Sequence, residues 1–233
     1  MDRDKFCCLH WSYYLVLEKD FLDVERYISF DFGDNYLYDS DHTVADYANS
    51  TTFSNEFVKQ YQAICSEVDV ILKTICKELG NTSADSMPDY TNLVLNQWSN
   101  LPNQKVRMNA IELQPFKNWS SNPTFKSPDW WSPYNRVKHE RIDNFRNANL
   151  KNVANALAGL YIIELYLVTF IGNRDRDLDV PNDISKLFEL IDFQTNNTVV
   201  GHELILSILV YTLFSRMFDL MQPPAVKHSI AVV

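Results

Sequence analysis

The chain has 233 residues, 46% of them hydrophobic and 22% charged, which suits a folded globular protein with one substantial core. Its 5 glycines are too few for the many tight turns of a sandwich or barrel. The net charge of -9 argues against non-specific binding of long duplex DNA.

In chain order, the first predicted element is a helix from about Trp11 to Ile28, where Tyr14, Phe21, Val24 and Ile28 recur at helical spacing. Residues 31–52 are polar and read as a loop. The clearest helix follows. Ser54 is its expected N-cap, and Phe57, Tyr61, Ile64, Val68, Ile71 and Ile75 carry an apolar stripe of period 3.6. Gly80-Asn81 is its expected stop, and Asp69 and Lys73 are spaced as an i,i+4 ion pair on its polar side. Asp89 to about Ser99 reads as a short helix. Residues 101–129 hold four prolines and read as an irregular insertion, with a short hairpin over Val106–Leu113. Ser132 as N-cap and Pro133 at the first helical position open a helix expected to run on to Ile171. Two more helices are expected over 181–192 and 201–221, with a frayed tail at 225–233. The predicted fold is mainly α: an antiparallel bundle of about five long helices. It forms a single domain over 1–233, with its core at about 11–222 and the insertion at 101–129.

Val153 to Ile171 contains one charge, Glu164, and approaches the length of a membrane span. Asn152, Asn155 and the mid-helix Glu164 favour a buried core helix instead, with Glu164 partly buried and hydrogen-bonded. Leu204 to Met221 reads the same way, so no membrane partner is expected. No long apolar run follows the charged stretch Met1–Lys5, so no secretory signal is expected. Cys65 and Cys76 share one helical face but lie about 16 Å apart along it, too far for a disulfide. They read as small core residues in a reducing cytoplasm.

The charge is unevenly spread. Residues 1–48 hold 11 acids and 4 bases, whereas residues 102–151 hold 9 bases and 4 acids. The second stretch contains the segment Trp130-Trp131-Ser132-Pro133-Tyr134-Asn135-Arg136-Val137-Lys138-His139-Glu140-Arg141. On one continuous helix, Asn135, His139, Ile142 and Arg146 share a stripe, with Lys138 and Arg141 beside it. The helix N-terminus adds positive potential and free N–H groups, which suit a phosphate. His139 has the side chain of a general acid or base near neutral pH, and Asn135 is placed to orient it. Trp130 and Trp131 either stack a base or plug the core. Glu67 and Asp69, two apart on a helix, point in nearly opposite directions and make a poor metal pair. Glu67 is expected instead to neutralise Lys138 or Arg141, and no metal or cofactor is expected.

Asn135-Arg136-Val137-Lys138-His139 resembles the Asn-x-x-x-His part of the Arg-Asn-x-x-x-His signature of HEPN domains. The wider pattern resembles a bacterial group of helical proteins. It comprises Ser66–Asp69, Pro115–Trp119, Trp130–Arg141 and Asn149–Asn152, and covers roughly residues 11–171. The HEPN resemblance implies a helical bundle and, for many members, a metal-independent ribonuclease of toxin–antitoxin or phage-defence systems. It implies a homodimer with two motifs facing each other, and an antitoxin or regulatory protein as partner. It also implies an Arg that steadies the scissile phosphate and a His that moves the proton. The Arg position is Tyr134 here, which carries no positive charge. Lys138 or Arg141 would have to replace it.

Two functional readings follow. In the first, Asn135, Lys138, His139 and Arg141 form a catalytic set, and Trp130, Trp131, Tyr134, Arg136, Arg146 and Glu67 bind RNA or a nucleotide around it. In the second, the protein is a non-catalytic interaction partner whose Trp and His cluster ties the 101–129 insertion to the bundle.

Overall fold

The N-terminal helix begins earlier than its apolar spacing predicts. The computed structural model describes residues 1–32 and 49–193. In it, α1 (Arg3–Phe6) is capped by Asp2, whose side chain accepts the Lys5 N–H at 2.8 Å. A π-helical turn, Cys7–Trp11, joins it to α2 (Ser12–Val24). The extra residue of that turn swings Trp11 into the core and leaves His10 near the surface. Tyr14, Leu17, Phe21 and Val24 then bury one face of α2.

Ser54 caps α3 (Asn55–Glu78) as expected, accepting the Phe57 N–H at 3.1 Å. The predicted stripe is buried from Phe57 to Cys76. Gly80 ends the helix at φ +91°, a conformation costly for any residue with a Cβ, while the Asn81 N–H returns to the Cys76 carbonyl. Asp69 and Lys73 do not come within ion-pair distance, so that expected pair is absent.

After α4 (Met87–Gln97), the hairpin forms as predicted. Strands β1 (Lys105–Met108) and β2 (Ile111–Leu113) flank Asn109, which takes φ +54°. The expected helix over 181–192 is replaced by a loop and β3 (Phe188–Ile191), which pairs antiparallel with the other edge of β1. The reason lies in distant groups. The Glu18 carboxylate accepts the N–H groups of Lys186 and Leu187 and the hydroxyls of Tyr14 and Ser185, which pins residues 185–187 to α2 in a non-helical path. Outward-facing Lys105 and Arg107 pair with Glu112 at 2.6 Å and Glu189 at 3.2 Å.

The helix expected over 133–171 is broken into α5 (Trp131–His139), α6 (Arg141–Asn144), a 3-10 turn (Phe145–Asn147) and α7 (Leu150–Asp175). Glu140 leaves helical geometry at φ -136° and ψ 55°. Asn149 then caps α7, accepting the Asn152 N–H at 3.0 Å. The helix α7 runs past the expected stop at Gly172 and ends at left-handed Arg176.

Together these elements make a mainly helical protein with a small antiparallel sheet. Among the described residues, α7 is the helix long and apolar enough to cross a membrane, and 89% of its most apolar window is buried inside the fold. It packs chiefly on α3 and is the centre of the core. Gly159 sits where α7 meets Trp130: a Cβ there would lie 2.9 Å from the indole Cζ2 and 3.2 Å from Phe116. Gly159→Ala is therefore expected to cost about 1–3 kcal/mol through overpacking, read as a lower urea midpoint. The loop predicted over 31–52 is described only at its ends. The predicted helix over 201–221 and the tail 225–233 lie outside the described residues.

Candidate nucleic-acid interface

The helix α5 starts one residue before Ser132. Trp130 occupies the cap position without a side-chain capping bond, and the Trp131 N–H donates to the Pro128 carbonyl at 2.9 Å. Ser132 is inside the first turn, where its hydroxyl meets that of Ser127 at 3.2 Å, so it is not the N-cap. Pro133 falls in the same turn, where a missing N–H leaves no helical bond unmade.

The segment then splits by helical face. Trp130 is buried at 2% exposure, its Nε1 donating to the Pro115 carbonyl at 2.9 Å, and its own carbonyl accepts the Tyr61 hydroxyl. Tyr134 is buried against Tyr61, with ring centroids 5.7 Å apart, and burial pushes its hydroxyl up to about 12. Trp131 is half-buried and leans on Tyr134. Of the two roles expected for Trp130 and Trp131, they take the core one, and Tyr134, expected in the binding group, is buried with them. Trp119, whose Nε1 donates to Thr91 at 2.7 Å, completes the attachment of the insertion to the bundle.

Arg136, Lys138, His139, Arg141 and Arg146 are all exposed, and Asn135 is half-buried. The stripe expected to join Asn135, His139, Ile142 and Arg146 is interrupted at Glu140, and no hydrogen bond links Asn135 to His139. The helix α5 is also too short to bring its parts together. Arg136, Lys138 and His139 lie in its last turn, about 10 Å from its N-terminus. Cations there complement the negative end of the helix dipole, and the N-terminal N–H groups do not join them. Two cations touch aromatic rings: Lys138 Nζ lies 5.8 Å from the Tyr134 centroid and the Arg146 guanidinium 5.6 Å from that of Phe53. None of the four cations, nor exposed Lys151, pairs with a carboxylate among the described residues. The short α6 buries nothing, so it leaves its side chains to solvent.

Glu67 does not neutralise Lys138 or Arg141. It turns to the π-helical segment and meets His10 Nδ1 at 2.9 Å. Behind it stands Glu164 on α7, fully buried, with neither carboxyl oxygen hydrogen-bonded. Sequence reasoning placed Glu164 as partly buried and bonded; both parts are corrected. Burial, and then the charge of Glu67, hold the Glu164 carboxyl well above the ordinary carboxylate range.

A second feature was missed in the sequence. An open pocket of about 260 Å³ lies on the loop 117–126, lined by Lys117, Ser120, Asn122, Thr124 and Lys126 over Trp119. The signal was a run of two lysines with no acid between them. Comparison with protein-family models, with curated proteins and with solved structures finds no match to this chain.

Proposed function

We propose that the protein binds RNA, or a ligand carrying a nucleotide, through the exposed basic surface of α5, α6 and the turn to α7, on a helical-bundle scaffold. One observation carries the reading. Residues 130–151 present five Lys and Arg against two acids, exposed and without carboxylate partners among the described residues, in a chain of net charge -9. An acidic protein that keeps such a surface unpaired gains a local attraction for polyanions that its whole-chain charge opposes.

Recognition is favoured over cleavage. The side chain in the place of the motif arginine, Tyr134, is a neutral phenol in the core, and Asn135 and His139 are not bonded to each other. The exposed charges suit phosphates, and among the described residues no cation is bonded beside His139.

The test is binding of a single-stranded RNA at several salt concentrations. The variant Arg136→Glu/Lys138→Glu/Arg141→Glu is expected to lose at least about 100-fold in affinity at 0.1 M salt, and its salt slope to shrink by about 2. Its melting temperature should hold, because all three residues are exposed. His139→Ala should bind within about threefold of wild type. Unchanged affinity in the triple variant would end the proposal, and RNA cleavage that disappears in His139→Ala would replace recognition with catalysis.

A further inference from the structure

We infer that the 117–126 pocket is a subsite for a terminal phosphate group, a phosphomonoester. The inference rests on the RNA-binding reading for the identity of the bearer.

The loop is held in shape by its own bonds. The N–H of Lys126 donates to the Ser120 carbonyl at 2.8 Å and the N–H of Ser120 returns to Lys126 at 3.1 Å. The Ser120 hydroxyl donates to the Asn122 carbonyl at 2.8 Å and also accepts the Asn122 N–H. Buried Trp119 closes the floor, anchored by its bond to Thr91. The backbone that carries the site is therefore preorganised.

Its uncommitted groups are two ammonium cations, an amide and a hydroxyl, each able to donate to an anion. Among the described residues, Lys117 and Lys126 have no carboxylate partner, and the side chains of Asn122 and Thr124 make no protein hydrogen bond. No acid lines the pocket. Asn118, which also lines the pocket, donates its amide to the Asp129 carboxylate at 2.8 Å. Two lysines with an amide and a hydroxyl match a compact dianion that accepts bonds from several sides. An internal phosphodiester carries one charge, whereas a terminal phosphomonoester offers a dianion to the two lysines. The contact between Ser127 and Ser132 ties the end of this loop to the first turn of α5, about 10 Å along the helix from its basic last turn.

The experiment compares one short RNA carrying either a 5′-phosphate or a 5′-hydroxyl, with AMP and inorganic phosphate as competitors. Wild type should prefer the phosphorylated end about tenfold. Lys117→Ala/Lys126→Ala should erase that preference, with little effect on the hydroxyl-ended RNA and an unchanged melting temperature. Displacement of the phosphorylated RNA by AMP, weaker with inorganic phosphate, supports the same chemistry with a free nucleotide as a second source. Equal binding of both ends, or a preference that survives in the double variant, overturns the subsite. The triple α5–α6 variant separates the two claims: if it loses RNA while end preference is absent, only the pocket inference fails. If it keeps RNA while the pocket variant loses it, only the α5–α6 reading fails.

Discussion

Glu164→Met should raise the melting temperature by about 3–10 °C at neutral pH. Glu164 is wholly buried on α7, and both of its oxygens lack hydrogen bonds. An unpaired buried polar group costs about 1–3 kcal/mol, and in a chain of this size 1 kcal/mol moves the melting temperature by about 2–4 °C. Methionine is unbranched and adaptable enough to fill the same space. The effect also has a pH signature. Burial and the charge of Glu67, itself bonded to His10, hold the Glu164 carboxyl above its ordinary value. Between the unfolded and folded values, the native state keeps a proton that the unfolded chain has released. This contribution to stability is present at low pH and is lost as pH rises, by at most about 1.4 kcal/mol per unit. The gap between variant and wild type should therefore widen from pH 5 to pH 8 in thermal melts. A variant that melts lower than wild type at every pH would show that Glu164 is satisfied in solution.

Trp130→Ala is expected to lose about 3–5 kcal/mol, a fall of roughly 10 °C or more. The indole fills the gap left by Gly159, neighbours Phe116 at a ring distance of 6.2 Å, and donates to the Pro115 carbonyl, which would be left unpaired. Trp130→Phe should recover part of the packing but not the bond. Substitutions a few residues on, at Arg136 or Arg141, should stay within about 0.5 kcal/mol because those side chains are in solvent. Urea unfolding of the set measures this contrast. Equal losses at Trp130 and Arg141 would contradict the division of the segment into a core face and a surface face.

The Trp130–Arg141 segment shows where sequence reasoning held and where it stopped. Its concentration of aromatic and basic residues was visible without coordinates. The choice between stacking a base and plugging the core was left open for the tryptophans, because burial of Trp130 and Tyr134 depends on Gly159 and Tyr61, which are distant in sequence. The continuous helix failed for a local reason that could have been read: Asn149 precedes Leu150 and is followed three residues later by Asn152, a capping arrangement that argues for a new start.

By itself the sequence determined the mainly helical class, the stripe and caps of α3 and the burial of the apolar run in α7, and it pointed to a hairpin over 106–113. Each depends on near neighbours, through helical period, cap chemistry or turn conformation. Tertiary structure decided the rest. Strand β3 exists because Glu18 pins residues 185–187 and β1 offers an edge, contacts that span more than 160 residues for the carboxylate. Glu67 met His10 rather than a basic helix, and Glu164 was left without a partner, because three helices meet there. The pocket at 117–126 arises from a loop folding on itself over Trp119, a shape that no periodicity encodes.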